Sequence, residues 1–370
     1  VIGAGYFLTD NYGDLFLADN DINGSENEII FPIRFDGLNT TGYGGTTFLV
    51  HAPIGGKMVA SDYGVSSGWG GLRTTKNFVQ QFDAGVDLDA LNTGIGSTSK
   101  WGLVGSSTTN GWDGPDMVMY KSSADQYGIY AQLVAGEFKF RFDWEESGWN
   151  VNLGDNNGDG NLQDGGSNIS IPADGAYYIA LNKASNTYTV TPVGDGRANF
   201  FTEDQTLEIE DPFNFSNGYA IEKFINLDVN GNQGSDGSGE FVDVDFPMFR
   251  LGDAYLMYAE AFLRGGGGSA SEAAGYINKL RERAYGSPAG NIDATDLTLD
   301  FILDERSREL HWEGHRRTDL IRFNQFTENG VWPWKGGVME GKPTEKFRDL
   351  YPIPSSDIIA NPDLEQNPGY

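Results

Sequence analysis

Apolar positions recur with a period of two between residues 98 and 192, and with a helical period from about residue 248 onward. The chain therefore changes secondary-structure texture along its length. Phe138, Phe140 and Phe142 alternate with Lys139 and Arg141, the pattern of a strand with one buried face. Residues 127–133, 169–171, 177–181 and 188–190 repeat the pattern between turns rich in Gly, Asn and Asp. Several short strands of this kind predict an antiparallel β-sandwich. Further on, Leu251, Ala254, Tyr255, Tyr258, Ala261 and Phe262 follow helical spacing until Gly265–Gly268 interrupts them. Ser269 and Glu272 then form an S-x-x-E capping box. The next helix places Ala270, Ala273, Ala274, Ile277, Leu280 and Ala284 on one face. Such a pair resembles one tetratricopeptide unit, which needs partner helices to bury its face. A third helix is predicted over 299–312, with Asp304 and Arg308 as an i,i+4 ion pair. Nearer the start, 28–35 reads as a strand, 39–71 as a long, Gly-dense structured loop and 74–82 as a short helix.

Charge narrows the partners. Over 370 residues the formal net charge is −28, which disfavours nucleic acid and anionic lipid and suits a neutral ligand or a cation. The length allows two or three domains. No cysteine is present, so disulfides and thiol chemistry are excluded within this chain. Val1–Tyr6 is neither a start methionine nor a signal peptide, and an N-terminal portion is expected to precede it.

Longer stretches carry a resemblance. NEIIFPIRFDG (27–37), GYGGTTFLVHAPIGG (42–56), GWGGLRTTKNFVQQF (68–82), PMFRLGDAYLMYAEAFLR (247–264), LDERSRELHWEGHRRTDLIRF (303–323) and LYPIPSSDIIANPDLEQNPGY (350–370) resemble the SusD/RagB family. Between Phe82 and DGRANFF (195–201) lies a segment similar to the carbohydrate-binding modules of SusE/SusF-type proteins. It carries NGWDGPDMVM (110–119), GEFKFRF (136–142), Trp149, Asn152, Gly154 and GGSNISIPADGAYYIAL (165–181). The resemblance implies an α+β fold: a SusD-like helical, tetratricopeptide-type body with an inserted immunoglobulin-like antiparallel β-sandwich. The expected divisions are 1–95 and 195–370 for the body and 96–194 for the insert. It further implies a non-catalytic outer-membrane lipoprotein on the extracellular face. That protein would capture oligosaccharide and deliver it to a SusC-like TonB-dependent transporter, held by a lipid anchor on an N-terminal part outside this chain. A peptide-capturing relative and a surface glycoside hydrolase are the alternatives.

Residue chemistry supplies local candidates. Asp155, Asn157 and Asp159 fit D-x-N-x-D-G, the opening of a calcium loop, with Asn161 and Asp164 completing the expected shell. Gly166 stands where a bidentate Glu belongs, and a plain Asx-rich turn is the competing account. His311, Glu313 and His315 lack the Glu directly after the first His that a zinc-protease helix requires, so helix-end ion pairing is preferred. Val1–Gly5 mimics a dinucleotide fingerprint but has Leu8 at the third glycine and is set aside. Sugar rings stack on indoles while their hydroxyls seek polar side chains. Trp101, Trp144, Trp149, Trp332 and Trp334 are accordingly the candidate glycan platforms, against the ordinary alternative of core packing. Glu305 and Glu309 share a helix with Arg306 and Arg308, so ion pairing is the simpler account than a hydrolytic acid pair.

Overall fold

The computed structural model describes residues 2–82, 88–172 and 174–370. It is a mixed α and β structure that divides into two compact units. The larger comprises residues 1–84, 196–283 and 292–370, the smaller 85–195 and 284–291.

The smaller unit is built on antiparallel strands in the order Thr187–Pro192, Gly175–Asn182, Gln126–Leu133, Met117–Lys121, Ser97–Val104, Gly136–Phe142, Asn152–Gly154 and Gln163–Asp164. Ile169–Ile171 also pairs with Gly136–Phe142. The strands join in a curled antiparallel arrangement with two irregularities. The pairing register between the 97–104 and 117–121 strands shifts between Thr98 and Gly102. Strand 136–142 changes partners midway, pairing through Gly136–Phe138 with 169–171 and through Lys139–Phe142 with its other neighbours. Curling closes the inward side chains Leu103, Met119, Leu133, Phe138, Phe140, Ile179 and Leu181 into one fully buried core. A helix at Leu88–Ile95 joins this unit through Asn92, whose amide brackets the backbone of Tyr130 in both directions at 2.8 Å.

In the larger unit, Ile29–Ile33 pairs antiparallel with Phe246–Arg250. The latter strand runs directly into the helix Leu251–Leu263. Helices Ala270–Tyr285 and Leu299–Leu310 follow. Ser269 accepts the Glu272 amide at 3.1 Å and Thr298 that of Phe301 at 3.1 Å, each satisfying an orphan N–H of a first turn. The three helices share a core of Leu256, Ala259, Ala273, Ile277, Leu280, Ile302 and Leu310. The Gly-dense stretch 39–71 holds a helix at Gly45–His51. Its glycines mask the helical pattern of Thr46–His51, yet Gly45 is required: its φ is +58° and a Cβ would lie 2.1 Å from the Phe35 ring.

Glu305 and Glu309 lie one turn apart on the 299–310 helix and are fully buried. Glu305 meets Arg197, Arg281 and Arg308 at 2.7–2.8 Å. Glu309 meets Arg197 at 2.9 Å, and Arg250 and Arg283 at 2.5 Å. Arg250 continues to Glu28 and Glu313, and Lys223 to Glu313 at 2.6 Å. The expected Asp304–Arg308 pair is replaced by Glu305–Arg308, because Glu305 is the buried carboxylate and needs the charge more. Asp304 instead accepts from Gln81 at 3.3 Å.

Candidate functional site

Aromatic side chains left partly in water mark one surface of the larger unit. Tyr43, Phe48 and Trp69 are 59%, 40% and 41% exposed. Their rings are mutually inclined, with Trp69 lying 6.2 Å from Tyr43 and 6.0 Å from Phe48. Buried His51 stacks against Trp69 at 5.0 Å and 19°, so one indole face is braced from within. Phe241 supports Tyr43 at 5.4 Å. The Tyr43 hydroxyl donates to Glu240, and that hydrogen bond and carboxylate charge raise the phenol's pKa, keeping it a donor.

Local chain geometry explains the presentation. Tyr43 directly precedes the 45–51 helix, which carries Phe48 and His51 one turn apart. The Trp69 loop is fastened to that helix's C-terminal end by Trp69 N–His51 O at 2.9 Å, Gly70 N–Ile54 O at 2.8 Å and Gly71 N–Ala52 O at 2.8 Å. Gly68 permits the approach, since a Cβ there would sit 2.3 Å from the Ile54 carbonyl. Three backbone bonds thus hold an exposed indole rigidly, which lowers the ordering cost of binding. Inclined apolar faces beside a phenol and a carboxylate are the complement of a polyhydroxylated ring. None of Tyr43, Phe48 or Trp69 was among the predicted platforms. The signal available was aromatics set among glycines in 42–71.

The predicted tryptophans separate by environment. Trp101 is only 6% exposed and packs in the curled-sheet core, 5.2 Å from Phe142, with Lys183 over its ring. It is corrected to a core residue, since no open face remains. Trp144 and Trp149 are brought together around Arg141, whose guanidinium carbon lies 6.0 Å and 4.4 Å from their rings. Trp332 and Trp334 are half-buried in the larger unit. The buried Lys335 ammonium occupies the Trp332 ring at 4.5 Å, and Trp334 donates its indole N–H to Ile209 O at 2.8 Å, so packing accounts for both.

The Asp-rich loop is organised by its own hydrogen bonds. Asp155 Oδ1 accepts from the amides of Asn157 and Gly158 at 3.0 and 2.8 Å. Its Oδ2 accepts from Gly160 N at 2.9 Å and the Tyr188 hydroxyl at 3.1 Å. Burial works against the Asp155 charge, but the N–H donors of Gly160, Asn157 and Gly158 outweigh it and hold the pKa below its usual value. Burial, then Asp155 itself, pushes the Tyr188 phenol up to about 12. Asp159 caps the Asn161 amide at 3.0 Å, and Asp164 lies in the short 163–164 strand. Among the described residues no group of three Asp, Glu, His or Cys side chains is placed to hold a metal ion; the expected calcium shell also draws on the Asn157 side chain and the Asn161 backbone, which stand outside such a group. Asp155→Ala should lower the melting temperature of the smaller unit equally in calcium and in chelator. A calcium-dependent rise in the wild-type melting temperature would instead show a cation held by the loop.

The remaining chemical candidates are also committed. His311 is buried with Nδ1 3.0 Å from Arg308 O, and Glu313 serves Arg250 and Lys223, leaving no zinc set. Glu305 and Glu309 are fully buried and paired with Arg197.

A family model described as the SusD family matches residues 27–370. The starch-binding protein SusD of Bacteroides thetaiotaomicron is 32% identical over 379 aligned residues, covering 100% of this chain and 54% of that protein. The SusD-like protein P38 of Formosa agariphila is 34% identical over 137 residues, 35% of this chain and 25% of its own length. Among solved structures, a SusD superfamily protein from Parabacteroides distasonis aligns with 100% of this chain and 55% of its own at 19% identity and a TM-score of 0.49. The chain thus spans about half the length of the starch-binding relative.

Proposed function

The chain belongs to the SusD family, and we propose that it is a non-catalytic glycan-binding protein that captures neutral oligosaccharide on the Tyr43–Phe48–Trp69 surface. The observation that carries this is an exposed indole braced by a buried histidine and pinned by three backbone bonds. The starch-binding relative supports a glucan as first ligand. Delivery to a SusC-like TonB-dependent transporter, and lipid anchoring at the outer-membrane surface, are part of the proposal. Among the described residues no helix is long and apolar enough to cross a membrane, which is compatible with a surface anchor.

Calorimetric titration with maltoheptaose, laminarihexaose, cellohexaose and mannohexaose tests the proposal. Trp69→Ala should weaken binding at this surface about tenfold, the equivalent of ~1.4 kcal/mol. Tyr43→Ala should act in the same direction. Neutral contacts are little screened, so affinity should hold between low and moderate monovalent salt. Wild-type protein that binds none of the four sugars would overturn the proposal, and binding to a peptide library instead would favour the peptide-capturing alternative.

A further inference from the structure

Trp149 of the smaller unit is held in a way that core packing does not require. Its ring leaves 46% of its surface in water. Yet the 136–142 strand delivers Arg141 against it, 4.4 Å from the ring centroid. That guanidinium is buried and takes both oxygens of buried Asp116, at 3.0 Å from Nε and 2.5 Å from Nη2. Burying an ion pair carries a desolvation cost, and here the pair supports an exposed ring rather than a closed core. Trp112 lies 6.1 Å from Trp149, inclined at 36° and only half-buried. The turn around Trp149 is fixed on both sides, by Gly148 N–Trp144 O and Asn150 N–Ser147 O at 3.0 Å, and by Asn152 Nδ2 donating to Trp149 O at 2.9 Å.

We infer that Trp112 and Trp149, braced by Arg141 and Asp116, form a second glycan site that takes the apolar faces of neutral pyranose units. The inference rests on the glycan-binding function proposed above and adds a site that does not use Tyr43 or Trp69. Two features select this ligand. Arg141 has its charge answered by Asp116, so no free cation recruits a phosphate or carboxylate. Two inclined indoles one sugar length apart suit successive rings of a chain. The site's chemistry repeats that of the first surface, an exposed indole with one face braced from inside.

Equilibrium titration of the full chain with the tightest-binding of the four sugars above decides the matter. Wild type should bind two equivalents. Trp149→Ala and Trp112→Ala should each remove one of them, or weaken it at least tenfold, while the equivalent lost in Trp69→Ala persists. Circular dichroism of each variant checks folding, and Trp112→Ala is decisive if Trp149→Ala unfolds. A single equivalent that Trp69→Ala abolishes and both Trp112→Ala and Trp149→Ala leave intact overturns this inference alone. No binding by wild type overturns it together with the proposed function. A single equivalent sensitive to Trp149 and Trp112 but indifferent to Trp69 supports this site and removes the other.

Discussion

Glu309→Ala should cost the larger unit about 3–5 kcal/mol, the usual penalty for removing one partner of a buried ion pair. Arg197, Arg250 and Arg283 all converge on this carboxylate, so its loss leaves a dense group of guanidinium charges less compensated and out of reach of water. Burial alone would raise the pKa of Glu309, but Arg283, Arg250 and Arg197 outweigh it and hold the group far below the ordinary range. Glu305 responds in the same way: burial opposes its charge, and Arg197, Arg308 and Arg281 bring its pKa down to about 2 from 4.5. A depressed folded-state pKa means that the unfolded chain binds protons first. The stabilisation is therefore complete above about pH 4.5 and is lost progressively as the pH falls toward 2. Urea denaturation followed by circular dichroism, at pH 7 and at steps down to pH 2, measures both effects. A Glu309→Ala loss below about 1 kcal/mol, the scale of an exposed pair, would show that the cluster is hydrated in solution.

Asp116→Ala should destabilise the smaller unit by a similar 3–5 kcal/mol and loosen Trp149 as well. Arg141 and Asp116 are both buried and meet through two parallel contacts, a geometry stronger than a single neutral hydrogen bond. Deleting one partner strands the other. Deleting both does not, so the double variant Asp116→Ala with Arg141→Met should be more stable than Asp116→Ala alone. Thermal melts of the single and double variants complete the cycle. Equal melting temperatures for wild type and Asp116→Ala would remove the pair as a brace, and with it the reason for the rigidity of Trp149.

Regular elements were legible from periodicity because burial of one face leaves a repeating mark on the chain. The alternation of Phe138, Phe140 and Phe142 located a strand, now seen as Gly136–Phe142. The S-x-x-E box located the start of a helix, and Ser269 caps Glu272 as the motif requires. The SusD family resemblance was also readable, since its stretches are long and ordered. Asp304 and Arg308 show the limit: i,i+4 spacing permits a pair, but burial of Glu305 decided where the guanidinium went.

The sequence by itself determined the texture of the chain, strands before helices, and the supply of aromatics and acids from which a neutral-ligand site could be made. Only the tertiary structure decided which aromatics face water. Trp101 and Trp149 were both candidate platforms, yet one packs against Phe142 in a closed core and the other lies open over a buried ion pair. Tyr43 and Trp69 become neighbours only because a glycine loop folds back onto the end of the 45–51 helix. Asp155 has the spacing of a cation ligand, and the fold adds backbone amides and the Tyr188 hydroxyl as donors to its oxygens. The physical reason is the same in each case. Local spacing sets which side chains share an element's face, whereas exposure and charge pairing depend on what distant segments bring to that face.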